Sequence, residues 1–188
     1  MTYSIVSSTF THGPWPEDLP YAPEIAVQAG VSAEDASAMV GVAWQMASNF
    51  TRRAYRSVLT GVVMVQEEGF DWVYWPVWPD PTEITCELLS GRNWVPYNEG
   101  FYLPGRGVDL AGQGLYRLTQ VGTVEAPEIP AHVVAAVQCL ATYLLIQSPQ
   151  RREFKTQGAG DTSFSRESYM GVLYGSGAGA MLASEVRL

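Results

Sequence analysis

The chain has 188 residues, 47% of them hydrophobic and only 16% charged, against roughly 25% charged in an average soluble protein. That length fits one domain, or one compact domain with a long tail, and the apolar fraction is enough for a real core. A formal net charge of −8 argues against a domain that grips nucleic acid, and two cysteines without a CxxC argue against a zinc site or a disulfide framework.

Residues 1–30 read as an extended arm, because Pro14, Pro16, Pro20 and Pro23 interrupt the chain around Trp15 and Tyr21. Neither a basic leader nor a long apolar run opens the sequence, so no signal peptide is expected. No run reaches the roughly 18 apolar residues of a membrane span, and a soluble, intracellular chain is expected.

A helix is predicted next. Ser32 is a suitable N-cap, and Glu34 and Asp35 sit in the first turn, where the helix dipole favours negative charge. Ala36, Met39, Val40, Ala43, Met46, Ala47 and Phe50 then form one apolar stripe. From Ser57 to about Val124 the pattern turns to strands: Val58–Val65 with a possible bulge at Gly61, the Trp72–Pro79 run, Glu83–Leu89, Trp94–Leu103 and Leu115–Val121. Ser90-Gly91-Arg92-Asn93 and Pro104-Gly105-Arg106-Gly107 mark turns between them. A second helix follows Pro127-Glu128-Ile129-Pro130, with Val133, Ala136, Val137, Leu140, Ala141, Leu144 and Leu145 as its stripe, and Ser148-Pro149 ends it. Beyond it lie a basic cluster (Arg151, Arg152, Lys155), a Gly/Ser/Thr-rich stretch and a glycine-rich tail with apolar anchors. Such a tail either packs back on its own domain or orders on a partner. The expectation is an α+β chain: a small antiparallel sheet with two main helices over residues 31–150, flanked by the arm (1–30) and by a linker and partner-binding tail (151–188).

Chemistry is hard to place. His132 and Cys139 stand two helical turns apart, roughly 10 Å, too far for a nucleophile and its base. No histidines share a helix face, and no HExxH or aspartate-rich loop appears. Gly158-Ala159-Gly160-Asp161 lacks the lysine and the preceding strand of a phosphate loop. Neither catalytic residues nor a metal or cofactor site is expected. Trp72, Trp75 and Trp78, with Tyr74 and Trp94, invite a stacking platform for sugars or bases. Strand alternation, however, puts Trp72 with Tyr74 on one face and Trp75 on the other, which suits core packing and interface anchoring better.

The order of elements resembles that of head–tail connector (adaptor) proteins of long-tailed bacteriophages and of phage-like gene transfer agents. The likeness runs over residues 24–188. It rests on a small-residue helix ending in Phe50-Thr51-Arg52-Arg53, a strand directly after it, and a proline-opened helix from Ile129-Pro130. A Ser176-Gly177-Ala178 element followed by Leu182 and Arg187 completes it. Two departures stand out: Arg52 occupies a position where the family usually has glycine, and Tyr21–Ile25 replaces an acidic, leucine-rich opening. The resemblance implies a structural virion protein at the head–tail junction, made in the host cytoplasm. It also implies a dodecameric homo-oligomeric ring between a portal protein ring and a tail-side completion or terminator protein. DNA would pass through without specific binding, and no membrane is involved. Tyr169, Leu173, Tyr174, Leu182, Val186 and Arg187 are the expected portal-binding residues, and Trp72, Trp75, Trp78, Arg52 and Arg53 the expected subunit contacts. The alternatives are a tail-terminator or tail-completion ring protein, and a small β-rich carbohydrate-binding module.

Overall fold

The structure, a computed structural model, describes residues 3–16, 19–69, 72–146 and 169–187. It is mixed α+β, and its contacts divide the chain into two compact units, each assembled from separated stretches. Met1–Pro14 joins Arg56–Pro127 in a β unit, and Trp15–Tyr55 joins Glu128–Leu188 in a helical unit.

Eight strands make up the described part of the β unit: β1 (Tyr3–His12), β2 (Val58–Glu67), β3 (Trp72–Val73), β4 (Ile84–Ser90), β5 (Asn93–Pro96), β6 (Phe101–Leu103), β7 (Gly107–Asp109) and β8 (Gly114–Gln120). They form a five-stranded sheet in the order β1-β2-β8-β4-β5 and a three-stranded sheet in the order β3-β7-β6. Every pairing is antiparallel. Alternation along β2 sends Val63 and Val65 inward, where they lie opposite Leu118 and Tyr116 of β8, while Val62, Met64 and Gln66 face the other way. Those cross-strand aromatic and β-branched pairs anchor a core that also takes Val73, Trp75, Val108 and Leu110. At the start of β7, Gly107 has φ 99°, and a Cβ there would stand 2.2 Å from the carbonyl oxygen of Val73, so only glycine lets the strand pass.

The sequence expectations differ from this unit at five places, one of them the Trp72–Pro79 run, of which Trp72–Val73 alone forms a strand. Residues 3–12, read as part of an extended arm, are an edge strand; their side chains are mostly exposed, so the pattern lacks the apolar alternation that announces a strand. Trp94–Leu103 is two short strands, β5 and β6, in different sheets. The Gly105–Gly107 turn runs directly into β7. Gly61 keeps regular register opposite Phe10; its missing Cβ makes room for the Phe10 ring and the Gln120 side chain, and the irregularities fall at Val6 and near His12 instead.

Five α-helices make up the described part of the helical unit: α1 (Ala22–Ala29), α2 (Ala33–Thr51), α3 (Ala131–Ile146), α4 (Tyr169–Gly175) and α5 (Ala178–Leu182), with a 3₁₀ turn at Ala183–Glu185. The prolines before α1 do not prevent it, because one falls in its first turn, where no N–H is needed. Ser32 caps α2 by accepting the Asp35 N–H at 3.1 Å. Ala36, Val40, Ala43 and Ala47 bury the predicted stripe of α2 together with Trp44, which the stripe did not include. Trp44 is fully buried, donates its indole N–H to the Leu19 carbonyl at 2.7 Å and stacks on Trp15. Helix α3 buries Val133, Ala136, Val137, Leu140 and Ala141 against α1, α2 and the C-terminal helices. The Ser148-Pro149 stop, the basic cluster and the Gly/Ser/Thr-rich stretch lie outside the described residues.

Candidate functional site

The C-terminal segment is the part of the chain on which most of the expected partner residues fall. It packs back on its own helices. Leu173 and Leu182 are fully buried and Val172 nearly so, within the cluster built by α2 and α3. Burying a leucine side chain is worth about 1.5–3 kcal/mol, so the two together offset only part of the cost of ordering the segment, about 1–2 kcal/mol per residue, and the contacts below supply more. Leu173 and Leu182, expected among the portal-binding residues, are inward anchors in this conformation.

Local chemistry reinforces the docking. The Ser176 hydroxyl donates to the Leu173 carbonyl at 2.9 Å and accepts the Ala178 N–H at 3.3 Å, which turns the chain between α4 and α5. Gly179 lies beneath the Tyr174 ring, where a Cβ would stand 2.9 Å from it. Tyr174 in turn meets Phe50 edge-on at 6.3 Å. The Tyr169 hydroxyl donates to the Met46 carbonyl at 2.6 Å, and the Arg187 N–H donates to the Thr51 carbonyl at 3.0 Å.

A charged clasp closes the segment. The Glu185 carboxylate meets Arg53 of the α2 end at 3.3 Å and His132 of the α3 start at 3.0 Å, while Arg53 Nε also donates to the Glu185 carbonyl at 2.6 Å. Glu185 is largely buried, so the pair is screened less than a surface ion pair. Arg53 is therefore committed within its own chain. Arg52 is exposed and ends α2 with φ 57° and ψ 34°, a left-handed cap.

The outward side of the same segment is apolar. Tyr169, Met170, Tyr174 and Met181 are each at least 40% exposed, and Val186 is half-buried. A groove of about 370 Å³ runs beside it, lined by Gln138, Thr142, Tyr143, Ile146, Gly175 and Ser176 among others.

The tryptophans do not converge. Trp75 is in the core of the β unit, meeting Phe10 edge-on, and so is no surface contact. Arg106 lies over Trp72 at 4.4 Å, Arg117 lies over Trp94 at 4.6 Å, and Trp78 is half-buried. Two of the rings are thus each faced by a guanidinium, which is a poor arrangement for a flat sugar platform. A cleft of this unit, about 770 Å³, holds the Arg117–Glu87 ion pair at 2.6 Å and is lined by Cys86, Tyr97 and Tyr102. Burial pushes the Cys86 thiol up to about 12, with the Glu87 charge adding to it, so a nucleophilic thiolate is not supplied there. No group of three potential metal ligands occurs among the described residues, and no described helix is long and apolar enough to cross a membrane.

No protein-family model matches the sequence, and no curated protein matches it. Among solved structures, a chain in the neck of an empty gene transfer agent particle, computed with C6 symmetry, is similar in fold. The likeness has a TM-score of 0.49 and 15% identity, over 91% of this chain and 95% of that one. A chain in the neck of the native particle, computed with C12 symmetry, gives 0.45 and 16% over 89% and 94%. The virion of a native gene transfer agent gives 0.41 and 14% over 93% and 94%.

Proposed function

We propose that this chain is a non-enzymatic connector subunit of a phage-like or gene-transfer-agent particle, forming a ring between the portal and the tail. The observation that carries the proposal is the C-terminal segment, which is held by its own inward leucines while four large apolar side chains face outward. A chain with so few charges has little reason to expose such a row unless another protein covers it. The element order of the sequence supplies the identity of that partner; the likeness to the neck structures is too remote to add to it.

On this reading the portal contact uses Tyr169 and Tyr174 directly, with Met170 and Met181 beside them, and Val186 and Arg187 at its margin. Leu173 and Leu182 set the segment's shape and are not contact residues. The net charge of −8 suits a passage for DNA, since phosphates are repelled from the wall and not held by it. Twelve copies would match a twelve-fold portal, each using two different faces to meet its neighbours head to tail.

The test is light scattering of the full chain mixed with portal rings from the same genome, beside the double variant Tyr174→Glu, Met181→Glu. A complex formed by the natural chain and lost in a variant that melts normally supports the proposal. No complex with the natural chain refutes portal binding. Binding to tail-tube protein in its place would make the chain a tail-side terminator.

A further inference from the structure

The two edges of the five-stranded sheet are treated very differently by the sequence. At one edge, β5 is four residues long and ends in Pro96, a short strand closed by a residue that cannot donate. At the other, β1 runs for ten residues, Tyr3–His12, with no proline and no Asp, Glu, Lys or Arg. Only its inner side is paired, to β2, and no other described strand pairs with it. Ser4 to Thr9 and Thr11 are all exposed, including Ile5 at 42% and Val6 at 57%. A long uncharged edge of this kind is a template for another strand.

We infer that β1 pairs antiparallel with β1 of a second copy of this chain, joining two five-stranded sheets into one. Charge favours that occupant. Two copies that each carry −8 repel, which favours approach along an edge where neither presents a carboxylate; β1 is such a stretch. Its composition is also self-complementary. Past the irregularity at Val6, Ser7–Thr11 holds regular register against Met64–Thr60 of β2, so this run presents straight, evenly alternating backbone groups. An antiparallel register centred on Thr9 places Thr9 opposite Thr9, Ser8 opposite Phe10 and Ser7 opposite Thr11. Every pair then shares a sheet face, as direct cross-strand neighbours must. The contact is two-fold and isologous, hence distinct from the head-to-tail contacts of a ring, and it stands without the connector proposal.

The register makes one position decisive. Like charges directly opposite each other break a strand pair, while opposite charges support it. Sedimentation of the full chain over a concentration series should show the mass rising from 20.6 kDa to twice that value. Thr9→Lys and Thr9→Asp should each remain at the single-chain mass, with unchanged far-ultraviolet circular dichroism, and an equimolar mixture of the two should recover the dimer. A natural chain that never dimerises, a Thr9→Lys chain that associates as the natural one does, or a mixture that stays monomeric overturns the inference. A larger ring whose mass ignores Thr9→Lys also overturns it, and leaves the connector proposal intact.

Discussion

Replacing Arg52 by glycine should stabilise the chain. Arg52 is the sole non-glycine residue with positive φ among the described residues, at φ 57°, where it ends the 19-residue α2. A side chain bearing a Cβ pays about 1–2 kcal/mol for the left-handed region, and glycine returns about 0.5–1 kcal/mol of that through its looser unfolded chain. The net gain is therefore about 0.5–1 kcal/mol, or roughly 2–4 °C in Tm at the upper end for a chain of this length. The backbone at this corner is in use, since the Thr51 carbonyl accepts the Arg187 N–H, so the gain should also tighten the C-terminal segment. Thermal and urea unfolding followed by circular dichroism would measure it. Arg52→Ala, which keeps the Cβ, should gain nothing. If Arg52→Gly melts below the natural chain while Arg52→Ala melts with it, the left-handed cap is not the strained position argued here.

Leu173→Ala should cost about 2–5 kcal/mol, because it opens a cavity at a fully buried site, and the urea midpoint would fall accordingly. Glu185→Gln should cost about 1 kcal/mol by weakening the contacts to Arg53 and His132, with limited proteolysis cutting earlier within residues 169–187. The His12 imidazole is held below its ordinary value by burial first and by the Arg56 charge second. Below the ordinary value of 6.5 the unfolded chain therefore binds the proton more readily than the folded one. The stability this represents is present above that value and is lost as pH falls towards the folded-state pKa. His12→Gln should flatten the acid side of a stability–pH profile.

Much of the helical unit was legible. Ser32 and the 3.6-residue stripe of α2 are local signals, and the capping bond and the buried alanines follow from them. Trp44 lies on the same face as the stripe, four residues after Val40 and three before Ala47, and belonged in it; its contacts with Trp15, Tyr55 and the Leu19 carbonyl show the buried role. Strand β1, by contrast, gave no such signal: an edge strand with one paired side and exposed side chains carries no apolar alternation. The tail was half legible. Glycine and apolar anchors announced a segment that packs on something, yet the sequence could not say that Leu173 and Leu182 turn inward while Tyr169 and Tyr174 stay out. The tryptophan cluster dissolved because its members divide between core and surface, and two of them are faced by arginines distant in sequence.

The interleaving of the two units has a consequence for synthesis. Strand β1 leaves the ribosome ahead of β2, its sole described partner, which begins roughly 45 residues later, and of β8, which completes the core beside β2, roughly 100 residues later. Helix α2 waits about 80 residues for α3 in the same way. At about 5–20 residues per second, an uncharged strand and an apolar helix face stay uncovered for seconds on each nascent chain. Neighbouring ribosomes on one message would hold several such strands close together. Slower translation or crowded polysomes should thus raise the insoluble fraction of this protein out of proportion to the stability of its finished fold.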